Sequence, residues 1–385
     1  MWRLITTLLG FVALVAGALI LGRTFNPWWK FQSGLSELSW VAGFTSLLAL
    51  ISGLRQRNFV TAIFGGYGLL AGVWSFALIP YTLITMESQM QRGLGEDYAL
   101  KIPQTMWPRL ARYHWSLLNA LGRRNYRSAA TVTHDIGYTK PGIRQLKLDV
   151  YEPQIRPAQG DLYPAIITIH PGSWNNYDKG RNFAPHHRYL ASQGYVVFDI
   201  QYRLSQEALW PAPLDDVLCA IRWVQDHADD YKVDVDRIAL LGRSSGGQLA
   251  LRAAYDERTR IRAVIALYAP TDMRLWGNTL ETPVAHVLGG EMADEPLKYV
   301  DASPVEFVRD DLPPTLLITG MLDSIVPPVH AESLANRLSA HNTPAVLLRV
   351  PWSRHAFDAV MPGLGAQVVQ YNIDRFLAWS FYHGG

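Results

Sequence analysis

Long apolar runs without charged side chains dominate the first 86 residues. Three such runs cover residues 4–21, 38–54 and 58–86. Because roughly 20 apolar residues span a bilayer as a helix, we predict about three transmembrane helices within residues 1–86. The first run also resembles the apolar part of a secretory signal, but the two runs behind it favour a retained segment. Gly68 and Gly72 have the spacing that lets two membrane helices approach closely.

The pattern changes from about Ala130 onward, where strand-like and helix-like segments alternate. This alternation predicts an α/β fold, a mostly parallel sheet flanked by helices on both faces. The turn at Pro141 and Gly142 predicts that the first two strands pair antiparallel. The predicted strands are 131–138, 145–151, 165–170, 195–200, 238–241, 263–267, 315–319 and 345–350, and the predicted helices include 214–228, 248–255 and 331–339.

Between these two parts, apolar residues recur at near-helical spacing from Gln104 to Arg124, opposite several arginines. We predict an amphipathic helix there, which lies either on the membrane surface or on the following domain. The chain therefore divides into a transmembrane region of about three helices at 1–86, a linker with an amphipathic helix at 87–129, and an α/β domain at 130–385.

Charge and cysteine content narrow the possible functions. The 35 Lys and Arg against 33 Asp and Glu leave a net charge of +2, which argues against a nucleic-acid-binding protein. Residues 1–86 contain Glu37 as their only acid and no histidine, so we expect them to anchor rather than to catalyse. Basic residues flank the apolar runs on both sides, which leaves the orientation in the membrane open. The single Cys219 permits no intrachain disulfide.

The most informative stretch is an apolar strand that runs into Gly242-Arg-Ser-Ser-Gly246 and then into a helix. Gly-x-Ser-x-Gly between a strand and a helix is typical of a nucleophile elbow. The tight turn holds the serine oxygen out of the sheet, and a Cβ atom at either glycine would collide with neighbouring backbone. The register selects Ser244, because Ser245 would require glycine at position 243.

A serine hydroxyl becomes a nucleophile only beside a base that a third group orients. In folds with this elbow, the acid and the histidine follow the serine along the chain. Asp323 comes directly after the predicted strand 315–319, and His355 follows the strand 345–350. We therefore predict Ser244, Asp323 and His355 as the catalytic residues.

Other titratable residues compete for these roles. Asp358 and Asp310 are alternative acids, but neither ends a predicted strand. His330 and His341 are expected on the surface. The adjacent histidines at 186 and 187 point to different faces of a helix without a carboxylate cluster, so we expect no metal site there.

Acyl transfer also needs hydrogen-bond donors for the developing oxyanion. The predicted strand 165–170 ends in a His-Pro-Gly-Ser-Trp loop. The backbone N–H groups of Gly172 and Ser173, with that of Ser245 behind the nucleophile, are the predicted donors. Pro171 has no N–H group and is excluded.

With these motifs the chain resembles the α/β-hydrolase superfamily, and within it the hormone-sensitive-lipase-like and feruloyl-esterase-like carboxylesterases. The resemblance implies a serine nucleophile, an Asp-His pair that completes the triad, a glycine-rich oxyanion loop and no metal or cofactor. It covers roughly residues 132–382. The motifs that carry it are Ile169-His-Pro-Gly-Ser-Trp174, Asp199-Ile-Gln-Tyr-Arg203, Trp210-Pro-Ala-Pro-Leu-Asp-Asp216, Gly242-Arg-Ser-Ser-Gly-Gly247, Ala302-Ser-Pro304, Asp323 with Val326-Pro327, and His355-Ala-Phe357.

The resulting hypothesis is a membrane-anchored serine hydrolase acting on small-molecule or lipid-derived carboxylic esters, in contact with membrane lipid. A peptidase or amidase with the same triad is one alternative, and a catalytically silent, membrane-tethered binding module is another. Tyr202 and Arg203 are expected to link structure beneath the oxyanion loop. Residues 271–299 are expected to form part of a small lid over an apolar acyl pocket.

Overall fold

A computed structural model describes residues 2–22, 28–121, 130–139, 144–180, 182–276 and 282–383. Its N-terminal part consists of helices α1 (Trp2–Leu21), α2 (Trp29–Glu37), α3 (Ser39–Arg55) and α4 (Phe59–Leu94). Helix α1, from Arg3 onward, and α4 are each long and apolar enough to cross a membrane. Helices α2 and α3 meet at a 77° bend, and only the two together are long and apolar enough to cross a membrane. The described helices thus offer two candidate spans, or three if the bent pair counts as one.

Small residues allow α1, α3 and α4 to pack directly against one another. A Cβ atom at Gly72 on α4 would overlap the Cα atom of Gly43 on α3. A Cβ atom at Gly68, one turn earlier, would lie 2.5 Å from the carbonyl oxygen of Ala13 on α1. The spacing of Gly68 and Gly72 therefore permits close helix contact, as the sequence predicts.

The α/β domain is built on one eight-stranded sheet in the order β1-β2-β4-β3-β5-β6-β7-β8. Strand β1 pairs antiparallel with β2, β2 pairs antiparallel with β4, and the remaining neighbours are parallel. The predicted fold class and the antiparallel start of the sheet are confirmed. The strands are β1 (Ala130–Gly137), β2 (Lys147–Pro153), β3 (Tyr163–Ile169), β4 (Val196–Ile200), β5 (Val233–Arg243), β6 (Ala263–Leu267), β7 (Thr315–Gly320) and β8 (Ala345–Val350).

Helices cover both faces of this sheet. Successive residues of a strand point to opposite faces, so Ile167 joins one buried apolar cluster and Ile166 the other. The helices are α5 (Leu117–Ala120), α6 (Ala184–Ser192), α7 (Ala212–Asp226), α8 (Ser245–Ala254), α9 (Pro283–Leu288), α10 (Pro296–Asp301), α11 (Val329–Ala340) and α12 (Leu364–Tyr382), with 3₁₀ turns at Tyr98–Lys101, Met273–Trp276, Pro304–Phe307 and Phe357–Ala359. Helices α7, α8 and α11 pack on the first face, and α6 and α12 on the second.

Helix α4 continues beyond the predicted transmembrane region and becomes part of the α/β domain. Met86, Met90 and Leu94 on its last turns are buried in the second apolar cluster, and the helix lies against the edge strand β8. The predicted linker at 87–129 therefore begins inside a helix. Because α4 covers β8, this edge of the sheet is protected from pairing with other chains.

The prediction of an amphipathic helix from Gln104 to Arg124 is wrong for the described residues. Residues 104–116 form turns, and only α5 is helical, while residues 122–129 lie outside the described part of the chain. Pro108 lacks an N–H group and its ring obstructs a helix interior, which explains the failure. The apolar residues Met106 and Leu110 are buried against the second face of the sheet instead.

Candidate active site

Ser244 lies at the turn between the end of β5 and the start of α8, with φ 53° and ψ −124°. A non-glycine residue rarely adopts such a backbone conformation, and it persists here because the surrounding backbone is tightly packed. A Cβ atom at Gly246 would lie 2.5 Å from the carbonyl oxygen of His170, and one at Gly242 would overlap the carbonyl oxygen of Gly246. The two glycines are therefore required for the turn that holds Ser244.

Ser244, His355 and Asp323 are hydrogen-bonded in series. His355 Nε2 lies 3.0 Å from Ser244 Oγ, and His355 Nδ1 lies 2.8 Å from Asp323 Oδ2. The other oxygen of Asp323 accepts hydrogen bonds of 2.9 Å from the backbone N–H groups of Ile325 and Val326. These two bonds fix the carboxylate, which in turn favours the imidazole tautomer with a proton on Nδ1 and a free acceptor at Nε2.

The competing acids have other partners. Asp358 accepts hydrogen bonds from Arg243 Nε at 2.6 Å and from the Tyr268 hydroxyl at 2.5 Å. Asp310 lies 3.0 Å from the exposed side chain of His341. Among the candidate acids, it is Asp323 that the fold brings to His355.

Three other histidines, His330, His186 and His187, are buried. His330 is not on the surface as predicted: its ring is buried beside Trp276, and its Nδ1 accepts backbone N–H groups of Thr271 and Asp272. The surface prediction failed because the start of α11 faces inward. The pair at 186 and 187 is buried, and His186 Nδ1 lies 2.9 Å from the guanidinium of Arg243.

The loop after β3 lies beside Ser244. Gly172 and Ser173 line the same cavity as Ser244, and both have positive φ angles, 143° and 53°. Ser245 begins helix α8, and the N–H groups at the start of a helix favour negative charge. Gly172 and Ser173 thus line the cavity together with Ser244, and Ser245 follows Ser244 along the chain.

The loop is supported from below by Tyr202, whose hydroxyl donates a 3.1 Å hydrogen bond to the carbonyl oxygen of His170. Their rings also stack at 4.2 Å, and burial lowers the pKa of His170 to about 4. Arg203, the next residue, pairs with Asp216 through two guanidinium nitrogens. Tyr202 and Arg203 therefore have the linking role that the sequence predicts.

Ser244 faces a cavity of about 410 Å³ that the α/β domain shares with helix α2. Trp29, Lys30, Ser33 and Gly34 of that helix line the cavity. The signal for this contact in the sequence is indirect: two tryptophans stand beside a lysine, residue types that favour a membrane–water interface. The expectation that residues 1–86 serve only as an anchor is therefore incomplete, because α2 forms one wall of the cavity.

Helix α2 also contacts the candidate base itself. The ring of Trp29 meets the ring of His355 edge to face, with 5.7 Å between centroids. The Ser33 hydroxyl donates a 2.7 Å hydrogen bond to the backbone carbonyl oxygen of His355. Lys30 Nζ donates a 2.9 Å hydrogen bond to the hydroxyl of Tyr177 on the opposite wall.

Residues near His355 connect the loop after β8, which carries this histidine, to the N-terminal helices. The Arg354 guanidinium donates hydrogen bonds to the carbonyl oxygens of Ile20 and Gly22, at 3.0 and 2.7 Å, where α1 ends. Such carbonyls have no partner within the helix, so the guanidinium satisfies them. The Glu37 carboxylate accepts 2.5 and 2.6 Å hydrogen bonds from Ser353 Oγ and from the backbone N–H of Gly365.

The predicted lid is not found in the described residues. Val284, Val287 and Leu288 are buried in the first apolar cluster, where α9 packs on the domain. The lining of the cavity at Ser244 contains no described residue of 271–299, and residues 277–281 lie outside the described chain. Helix α2 occupies the position over the cavity that the lid was expected to fill.

Comparisons with known proteins agree with this fold. A family model described as BD-FAE matches residues 148–338. The chain is 29% identical to a probable carboxylic ester hydrolase of Mycobacterium tuberculosis, LipM, over 65% of this chain and 62% of the relative. It is 28% identical to esterase LipQ of the same organism, over 60% of this chain and 59% of the relative. The chain thus spans about three fifths of the length of these curated relatives.

Among solved structures, a truncated form of a carbohydrate esterase from gut microbiota aligns with a TM-score of 0.55 and 26% identity. The alignment covers 65% of this chain and 96% of that chain. With the strand order and the BD-FAE match, these likenesses show that the chain has the α/β-hydrolase fold.

Proposed function

We propose that the protein is a membrane-anchored serine hydrolase that cleaves carboxylic esters through an acyl-enzyme. The observation that carries this proposal is the hydrogen-bonded series Ser244, His355 and Asp323 at the wall of a 410 Å³ cavity. The names of the relatives, a probable carboxylic ester hydrolase and an esterase, support the same reaction class.

In the proposed reaction, His355 Nε2 accepts the hydroxyl proton as Ser244 Oγ attacks the ester carbonyl carbon. Asp323 stabilises the imidazolium that forms and keeps its orientation. The tetrahedral intermediate then expels the alcohol, which takes the proton from His355, and the acyl group stays on Ser244. Water attacks this acyl-enzyme by the same route and releases the carboxylic acid.

The proposed oxyanion donors are the backbone N–H groups of Gly172, Ser173 and Ser245. Support comes from their place in the fold, since the loop after β3 and the start of α8 both lie beside Ser244. Such donors act on charge that appears only in the transition state, and loss of one lowers kcat by roughly 10²–10³ in a well-studied hydrolase. Because they are backbone groups, they are best probed through changes in loop conformation.

Membrane anchorage is supported by the apolar surfaces of α1, α3 and α4. Thr6 Oγ1 and Thr7 Oγ1 form hydrogen bonds with Gln56 and Asn58, so the start of α1 meets the turn between α3 and α4. The opposite end of α1 meets Arg354 of the α/β domain. We infer that the α/β domain lies on the other side of the membrane from the N-terminus.

A fluorophosphonate probe tests the nucleophile directly. The full chain, purified in detergent, is expected to be labelled at Ser244, and the label should disappear in Ser244→Ala. A label on another residue, or one that survives in Ser244→Ala, would contradict the proposal. Matched ester and anilide substrates then separate an esterase from a peptidase or amidase, and we expect the ester to be cleaved far faster.

A further inference from the structure

A second cavity, of about 630 Å³, lies among the N-terminal helices. Helices α1, α2 and α3 form it, and we call it the helix groove. Apart from Lys30, its lining is almost entirely apolar. Its walls include Phe11, Val15, Leu19, Phe31, Leu35 and Val41.

The helix groove meets the cavity at Ser244. Lys30 and Gly34 line both cavities, so the two spaces lie on either side of the same turn of α2. Gly34 has no side chain, and a Cβ atom there would meet no described heavy atom within 4 Å. The Lys30 ammonium is bonded to the hydroxyl of Tyr177, which lines the cavity at Ser244 and not the groove. Among the described residues, no side chain therefore fills the space at Gly34 between the cavity at Ser244 and the groove.

The groove also faces outward from the helices. Phe11 and Phe31 are 56% and 55% exposed, and Val41 is 42% exposed. In a bilayer these side chains contact lipid hydrocarbon rather than water. The groove is thus accessible to an apolar chain that moves within the membrane, and it leads toward Ser244.

Resting on the ester hydrolase function proposed above, we propose that the helix groove binds the hydrocarbon chain of an amphiphilic ester drawn from the membrane. The ester group of such a molecule needs polar surroundings, which the cavity at Ser244 provides, whereas its chain is best placed in an apolar groove. The reaction is ordinary hydrolysis: the acyl carbon gains a bond to Ser244 Oγ and loses the bond to the alcohol oxygen, and water then regenerates the serine. Chemically, the substrate is a membrane ester with one long hydrocarbon chain.

The test compares long and short esters on the full chain in mixed micelles. p-Nitrophenyl dodecanoate and p-nitrophenyl acetate differ in the length of the acyl chain. Dodecyl acetate and ethyl acetate differ in the length of the alcohol chain. We expect the wild type to prefer the long ester in one of these series. Gly34→Phe should lower the long-to-short ratio of kcat/KM in that series at least about tenfold, because the ring fills the junction.

Gly66→Phe is the matched control. Gly66 is also a helical glycine at which a Cβ atom would meet no described atom within 4 Å, but it lines neither cavity, so the ratio should not change. Val15→Trp is a second groove variant that lies outside the cavity at Ser244, and it should lower the same ratio.

Two results overturn the inference while the proposed function stands: a wild type that prefers the short ester in both series, or an unchanged ratio in Gly34→Phe and Val15→Trp. A wild type that cleaves no ester and is not labelled at Ser244 overturns the proposed function itself, and the groove proposal with it.

Discussion

Ser33 and His355 are joined by a 2.7 Å hydrogen bond, from a serine hydroxyl in helix α2 to the backbone carbonyl oxygen of the candidate base. The two residues are 322 positions apart in the chain. With the edge of Trp29 against the His355 ring, this bond fixes the loop that carries the imidazole. The N-terminal helices and the candidate base therefore form one structural unit.

Ser33→Ala is expected to lower kcat for a short ester by up to about tenfold, because a lost hydrogen bond of about 0.5–1.5 kcal/mol loosens the His355 loop. Initial rates in detergent, with KM determined in parallel, provide the measurement. Ser36→Ala is the control, since the Ser36 hydroxyl is buried without a hydrogen-bond partner among the described residues. Equal effects of the two substitutions would argue against this role of Ser33.

Glu37→Ala should destabilise the protein, because Ser353 Oγ and the N–H group of Gly365 would lose their buried acceptor. An unsatisfied buried donor costs about 1–3 kcal/mol. Glu37→Gln keeps one acceptor oxygen and should be intermediate. Thermal unfolding in detergent ranks the three proteins, and an alanine variant as stable as the wild type would show that the contact contributes nothing.

Asp323→Asn should lower kcat by about 10⁴, because an amide no longer holds the tautomer that activates Ser244. Asp358→Asn is expected to lower kcat far less and to act mainly on stability, because Asp358 pairs with the buried Arg243. Steady-state kinetics and unfolding curves of both variants check this. If Asp358→Asn were the more damaging to turnover, the acid would be misassigned.

His330 is expected to make the protein sensitive to acid. Burial lowers the pKa of His330 from 6.5 to about 4. Between these two pH values the unfolded chain binds a proton at this site and the folded chain does not. Stability contributed by neutral His330 is therefore complete above pH 6.5 and is lost as the pH falls toward 4, by at most about 3 kcal/mol.

His330→Asn should reduce this pH dependence, since Asn retains an acceptor for the N–H groups of Thr271 and Asp272 but does not titrate. Unfolding of the full chain at a series of pH values between 4 and 7 measures the slope. His341→Asn, a change at an exposed histidine, should leave the slope as it is. A wild-type slope in His330→Asn would refute the assignment.

The sequence predicts those parts of the fold that depend on local pattern. Strand β6 is found where its apolar run predicts it. The elbow is recognisable from its local pattern, although only Gly242 is required by a nearby backbone contact, with Gly246, whereas Gly246 approaches the distant carbonyl oxygen of His170. Asp323 and His355 follow from their places after predicted strands.

Features that depend on distant contacts escape such prediction. No periodicity indicates that α2 meets the His355 loop, because the partners are far apart in sequence and the bond ends on a backbone oxygen. His330 looks like a surface residue at a helix start until α11 is packed against Trp276. After Gln104, the apolar residues at near-helical spacing do not share one buried face, because Leu110 is buried whereas Leu117 and Leu118 are exposed.

Helix α4 has 36 residues, which corresponds to about 54 Å, well beyond the roughly 30 Å of hydrocarbon in a bilayer. Its final turns belong to the core beside β8, so in the proposed membrane-anchored arrangement the length of α4 sets the distance of Ser244 from the lipid. For the proposed membrane-anchored hydrolase, a support of fixed length limits the reaction to esters at one depth of one leaflet. Turnover should then follow the mole fraction of ester in the surface, and dilution with inert lipid should slow the reaction even when the bulk concentration is constant.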